Sequence, residues 1–396
     1  MMINKKYLAL GTKRSVIREL FEYGKKRKAE IGEENVFDFS LGNPSIEPPK
    51  SLNKSIIDHL TKDDSISLHG YTSAQGDASV RSAIAASIKK RFNFDISPDL
   101  IYMTCGAAAS LTITLSALCV EGDSVLTFAP YFPEYAVFAA TAGATLKAVE
   151  PDGNMKIDFD DLALKLDASV KAVIINSPNN PSGVVYDGAT LKKLCAFLKS
   201  RSAEYGHPIY LISDEPYREL TYGAIVPYVF DHYENAVICY SYSKSLSVPG
   251  ERIGYIAVSP LAKDCKDIYY AVCGAGRALG YVCAPSLMQK VIADCVYETS
   301  DVEKYKQNRD LLCGALKEYG YEFAKPDGAF YLFVKSPSGD GDEFSERAKK
   351  HELLIVSGKG FGVSTHARIA YCVDKKTIER SLPAFRALME EYKKEN

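Results

Sequence analysis

The strongest constraint on the fold is a set of short apolar runs that each stop on a polar cluster. The runs are Ser124–Phe128, Ala172–Asn176, Ile209–Ser213, Ala236–Ser241 and Ile253–Val258. They are rich in β-branched residues and too short for helices, so they read as strands. Amphipathic segments lie between several of them. In Ala189–Arg201, for instance, Leu191, Leu194, Cys195 and Leu198 recur at helical spacing. Alternating strands and helices predict a mostly parallel sheet sandwiched between helices. The clusters that end the runs are Ala129–Tyr135, Asn176–Gly183, Asp214–Tyr217 and Ser241–Lys244. Parallel strands share one carboxyl edge, where ligands gather, so these four clusters predict a single site.

A chain of 396 residues exceeds what one core normally organises. The expected division is a large domain over 46–295 and a small domain made of 1–45 and 296–396. The texture changes near residue 300. The polar helix Val302–Tyr319 is followed by Pro326-Asp327-Gly328, the aromatic strand Ala329–Val334, a helix after Gly339-Asp340-Gly341, and the strand Ala367–Tyr371. A helix over about Ser15–Ile31 is expected to pack with this α+β part. The net charge of −2 carries no basic stripe for nucleic acid and no cluster for anionic lipid. Near the N-terminus the longest apolar stretch, Tyr7–Leu10, is too short for a signal core or a membrane span. The ten cysteines form no C-x-x-C pair and the six histidines no H-E-x-x-H pattern, so free thiols and no metal site are expected. These features together predict a soluble cytoplasmic protein.

Chemistry enters with Ser241-Tyr242-Ser243-Lys244, at the end of an apolar run. A lone lysine there could simply reach out to solvent. Held partly desolvated, its amine becomes a nucleophile able to form a Schiff base. Eight residues on, Arg252 follows in Gly250-Glu251-Arg252-Ile253-Gly254, and a fixed guanidinium can grip a phosphate with the serines beside it. Either residue alone says little; their spacing in SYSKSLSVPGERIG says much more.

That segment resembles the pyridoxal-5′-phosphate (PLP) attachment signature of the class I/II aminotransferases, a family of fold type I. The resemblance implies a large α/β domain with a mostly parallel seven-stranded sheet and a smaller α+β domain. It implies that Lys244 carries PLP as a Schiff base while Ser241, Ser243 and Arg252 surround the phosphate. Asp214, in Asp214-Glu215-Pro216-Tyr217, could be a mere helix cap. By the resemblance it pairs with the pyridine nitrogen and keeps it protonated, with Tyr217 at the cofactor's O3′. The thirty residues from Asp214 to Lys244 leave room for a helical crossover between neighbouring strands.

Other motifs of the same family follow in order. In Asn176-Ser177-Pro178-Asn179-Asn180-Pro181-Ser182-Gly183, otherwise a Pro/Asn turn, Asn180 takes the family's O3′-binding role, and the sequence leaves a cis Asn180–Pro181 bond open. Gly106-Ala107-Ala108 opens a helix running to about Cys119 and matches the phosphate cup, with alanine at 108 where relatives often carry lysine or a hydroxyl. Phe132, with Tyr131 as the alternative, matches the aromatic that lies over the cofactor ring. Arg368 sits where the family grips the substrate α-carboxylate, Gly42 in its N-terminal substrate loop, and Tyr71 where a tyrosine reaches the neighbouring subunit's phosphate, which implies a homodimer.

The resemblance therefore implies an enzyme that moves the amino group of an L-amino acid to a 2-oxo acid such as 2-oxoglutarate, in two ping-pong half-reactions. Aspartate is the first expected donor, and Arg277 is a candidate for its distal carboxylate beside a purely structural role. A C–S lyase of the cystathionine β-lyase type would use nearly the same residues. A PLP-binding transcription regulator would need a DNA-binding module ahead of the first motif.

Overall fold

The computed structural model describes residues 3–12 and 16–395. The chain divides into two compact units. The large unit comprises Ile46–Glu303 with Asp327–Ala329, and the small unit comprises Met1–Ser45, Lys304–Pro326 and Phe330–Asn396.

In the large unit seven strands form one sheet: β1 (Ile101–Thr104), β2 (Ser124–Phe128), β3 (Thr145–Val149), β4 (Val170–Asn176), β5 (Tyr210–Asp214), β6 (Ala236–Ser241) and β7 (Gly254–Val258). Their order across the sheet is β1-β7-β6-β5-β4-β2-β3. Strand β7 runs antiparallel to both neighbours, and every other pair is parallel. Every residue of β2, β6 and β7 is buried. Successive side chains of a strand point to opposite faces, so both faces of the sheet are covered. This explains why these strands read as continuous apolar runs. Strand β3 was not visible as such a run: it forms an edge, with Thr145 exposed and Lys147 half-buried, where charge is tolerated and blocks further pairing.

Two helices show why the chain folds as it does here. Helix α1 (Ala107–Leu118) buries Leu111, Ile113, Leu115 and Leu118, and starts at Gly106, whose φ of 89° is open to glycine alone at little cost. Helix α2 (Gly188–Tyr205) makes the β4–β5 crossover. The Asp187 carboxylate accepts the Thr190 N–H at 2.8 Å to open it, and Gly206 closes it at φ 73°. The β5–β6 crossover differs from the expected helical one. Residues 215–235 hold only a short 3₁₀ turn, Val229–Asp231. The buried Arg218 guanidinium orders this segment instead, donating to the Glu215 carboxylate and to the Val226 and Pro227 carbonyls. A guanidinium donating four bonds substitutes there for a helix's internal bonds.

In the small unit, β8 (Tyr331–Lys335), β9 (Val356–Ser357) and β10 (His366–Ala370) form an antiparallel sheet of order β9-β10-β8. Phe37–Asp38 pairs in parallel with Leu353–Leu354. The expected start of the N-terminal helix, Ser15, lies outside the described residues, and the helix runs Val16–Ile31. It sits close on the small unit because Gly24 has no side chain: a Cβ there would lie 2.6 Å from Leu354 Cδ1. Arg27 adds a two-pronged bond to Glu352, its shortest arm 2.6 Å. No helix among the described residues is long and apolar enough to cross a membrane.

Leu211 in β5 is wholly buried, three residues before Asp214 at the site's edge. Leu211→Ala is expected to cost about 2–5 kcal/mol through lost burial and the cavity left behind. Urea denaturation followed by far-UV circular dichroism measures it, and a loss below about 1 kcal/mol would show that the sheet closes around the gap.

Candidate active site

The parallel strands end together at one edge of the sheet, and Asn176, Asp214 and Ser241 are the last residues of β4, β5 and β6. The cross-strand register sets Asn176 opposite Asp214 and Asp214 opposite Cys239. Strand β7 runs the other way, so it starts at this edge, with Gly254 opposite Ser241 and Thr104. That reversal is what carries Arg252, two residues before β7, to the carboxyl ends of the other strands.

A cavity of about 190 Å³ lies at this edge, lined by Ala107, Ala108, Phe132, Asn180, Asp214, Tyr217, Ser241, Ser243, Lys244 and Arg252, together with Asn176. Ten of the residues expected from sequence thus come together. Phe132 lines the cavity, and Tyr131 is not among its lining residues. Gly106 sits directly behind: a Cβ there would lie 2.8 Å from Arg252 Nη2, so only glycine lets the guanidinium cross the start of α1. The Asn180–Pro181 bond is cis.

One end of the cavity is built for an anion. The first N–H groups of α1, at Ala107 and Ala108, have no acceptor within the helix and carry its positive end. The Ser241 and Ser243 hydroxyls lie 2.8 Å apart, and Arg252 Nη1 approaches Ser243 Oγ at 3.4 Å. Lys244 follows on the short helical turn Tyr242–Ser245, half-buried, with Ser241 capping that turn through the Ser243 N–H.

The other end holds a buried acid. Asp214 is 4% exposed, and its Oδ2 accepts the Tyr135 hydroxyl at 2.6 Å. Asn176 Nδ2 donates to the Asp214 carbonyl at 2.9 Å and lies 3.5 Å from Oδ2, while Asn176 Oδ1 takes the Asn180 N–H at 2.7 Å. The second carboxylate oxygen, Oδ1, is buried without a protein partner. Burial pushes the Asp214 carboxyl up to about 7, against the lowering effect of the Tyr135 bond. Sequence reasoning assigned no role to Tyr135 or Asn176. Both stand in the polar clusters at strand ends, and that position was the available signal.

Three expected site residues are elsewhere. Tyr71 is fully exposed in the isolated chain. Gly42 and Arg368 belong to the small unit. There, Arg368 is 3% exposed, its guanidinium between the Tyr331 and Phe361 rings at 4.7 and 4.9 Å, with Nη2 donating to the Ser40 carbonyl at 2.6 Å. Gly42 lies against the Tyr331 ring, where a Cβ would collide with the phenol. Arg277 is exposed on the helix Cys265–Ala278. Among the described residues no group of three or more His, Cys, Asp or Glu could hold a metal ion.

Residues 34–385 match the family described as aminotransferase class I and II. The chain belongs to this family. A probable aspartate aminotransferase of Methanocaldococcus jannaschii is 28% identical to this aminotransferase, over 96% of its chain and 98% of the relative's. An aspartate aminotransferase of Thermotoga maritima is 30% identical over 92% and 95%. A solved amino transferase structure from Eubacterium rectale matches it with a TM-score of 0.98 at 53% identity, covering 99% of both chains. The aminotransferase thus has the fold-type I architecture that its motifs implied.

The buried acid gives a pH prediction for the cofactor-free aminotransferase. Folded, Asp214 keeps its proton up to about pH 7; unfolded, it loses it near 3.8. The stability tied to that extra proton is full below the lower value and is lost as pH rises through the upper one. In Asp214→Asn the unfolding free energy should decline less between those two pH values than in the wild type, as urea titrations at a series of pH values would show. Parallel curves would mean that Asp214 is ionised throughout.

Proposed function

We propose that the cavity at the sheet edge seats PLP and that this aminotransferase uses it to move the amino group of an L-amino acid, aspartate first, to a 2-oxo acid such as 2-oxoglutarate. The observation that carries the reading is the buried Asp214 with one oxygen unpartnered, in the same small cavity as Lys244 and Arg252. A carboxylate left so is costly unless a cationic donor meets it, and a protonated pyridine nitrogen is such a donor. The anion-binding end fits a phosphate, and Lys244 lines the same cavity.

Bound there, the cofactor would act as an electron sink for the pair left when the substrate loses its Cα proton, and would carry the amino group between half-reactions. The chain's own residues do the rest. Arg252, Ser241, Ser243 and the start of α1 hold the phosphate. Asp214 keeps the ring nitrogen protonated, Asn180 and Tyr217 hold the phenolic oxygen, and Phe132 covers the ring. Lys244 would hold the cofactor covalently, and its amine is the group that would move the Cα proton. Arg368, packed close to the Tyr331 and Phe361 rings, binds the substrate α-carboxylate, and Gly42 forms part of the substrate loop. The full exposure of Tyr71 supports a homodimer in which it reaches the partner's phosphate site. Ten free thiols support a cytoplasmic location. Aspartate as donor rests on the names of the two relatives above, and both being aminotransferases favours transfer over C–S lysis.

An absorbance spectrum before and after adding aspartate, with no 2-oxo acid present, tests the reading. A band near ~420 nm should move toward ~330 nm with release of one equivalent of oxo acid. Lys244→Ala should lose both the ~420 nm band and turnover, and transamination retained in that variant would remove Lys244 from its role. Arg368→Ala should raise KM for the amino acid by a factor equivalent to roughly 2–5 kcal/mol, seen in steady-state kinetics. Unchanged kinetics would take Arg368 out of the site.

A further inference from the structure

Tyr135 is the first residue to ask about, because no part of the scheme above uses it. It is wholly buried, on the helix Glu134–Thr141 that follows the Phe132 loop. Its ring meets Phe132 edge-on, with centroids 5.7 Å apart and planes at 85°. Its hydroxyl donates to Asp214 Oδ2 at 2.6 Å. With Asn176 drawn to the same oxygen, Oδ2 is occupied from the protein side and Oδ1 is left over. One carboxylate oxygen is therefore committed to orientation, and the other is available to a ligand.

We propose that Tyr135 is a positioning residue that fixes the Asp214 carboxylate in one rotamer and, by donating to Oδ2, keeps it a weak enough base for the proton to stay on the cofactor's ring nitrogen. The inference rests on the PLP reading above. Its logic is proton balance. Between Asp214 and a pyridine nitrogen a single proton is shared, and it sits on whichever partner is the stronger base. A donor on the far oxygen stabilises the carboxylate anion and pushes the proton toward the nitrogen. Without that donor the same buried carboxylate becomes more basic and draws the proton back, which weakens the ring as an electron sink. Phe132 and Tyr135 stand three residues apart on one segment, so the ring cover and the acid's anchor are placed by the same piece of chain.

The test uses full-length holoenzyme reconstituted with PLP labelled with ¹⁵N at the ring nitrogen. In the wild type the ¹⁵N resonance should lie at the protonated position. In Tyr135→Phe, which deletes one oxygen and leaves the ring packing, it should move toward the unprotonated position. Cofactor retention on dialysis should weaken on the order of tenfold, and kcat should fall by at least that factor with KM little changed. Replacing Tyr135 by 3-fluorotyrosine, whose hydroxyl is a stronger donor in the same volume, should hold the resonance at the protonated end and restore retention, and it serves also if Tyr135→Phe does not fold. An unmoved resonance with unchanged retention in Tyr135→Phe would overturn the inference while leaving the PLP reading intact. A wild type that takes up no labelled PLP would overturn the PLP reading itself.

Discussion

The site depends on one buried carboxylate. Asp214 ends the central strand β5, where both sheet faces are covered and water is excluded, so its charge has no solvent to lean on. Such a group is costly unless its lone pairs are met. Tyr135 and Asn176 meet them on one oxygen, and the register that pairs Asn176 with Asp214 means the asparagine needs no separate device to be there. Asn176 then passes the constraint on, since its own carbonyl oxygen fixes the Asn180 backbone at 2.7 Å. The acid, the turn that presents Asn180 and the Phe132 loop are thus held by one hydrogen-bonded chain running across β4 and β5. Strain at any member would be felt by the others, because interiors of this density relax little.

The opposite end of the cavity is assembled by topology. An all-parallel sheet would have placed the residues before β7 at the far edge, away from the other strand ends. Reversing that one strand brings Arg252 beside the start of α1, and Gly106 and Gly254 clear the space for it: a Cβ on Gly254 would strike the Tyr240 carbonyl and lie 3.0 Å from Gly106 Cα. The backbone of Arg252 is itself left-handed, at φ 52°. A non-glycine residue pays for that conformation only where its side chain is needed in a particular place. The anion seat therefore combines a helix terminus, two hydroxyls and one guanidinium, with no lysine or hydroxyl at position 108 to help.

Much of this was legible in the sequence, for physical reasons that differ by element. Strands β2 and β6 could be read with their ends because they are buried on both faces and so appear as unbroken apolar runs. Strand β3 could not, since an edge strand carrying Thr145 and Lys147 has no such signature. The β5–β6 connection is long enough for a helix, but its actual order comes from Arg218 bonding to carbonyls eight and nine residues on, which no local pattern encodes. Ten residues singled out by the family resemblance line one cavity, because the motifs that carry the resemblance stand at strand ends. Tyr135 and Asn176 were passed over because what they do in the structure is bond other residues, and partnership across strands appears only with the register.

Arg368, in the small unit, shows a second solution to the same problem of placing a charge out of water. Asp214 is held by donors aimed at one oxygen. Arg368 instead lies between two aromatic faces, with the Ser40 carbonyl taking one of its N–H groups. The difference follows from the ions. A carboxylate is strongly hydrated and must have each lost water bond replaced, while a guanidinium is weakly hydrated above and below its plane and can rest on rings there. Its hydrogens all lie in the plane, so contact with ring faces need not consume the edge that could meet a carboxylate. Gly42 belongs to this arrangement, because the Tyr331 ring can take its position against Arg368 only if residue 42 has no side chain. A glycine in a loop and a tyrosine in β8 are in this sense part of how the arginine is aimed.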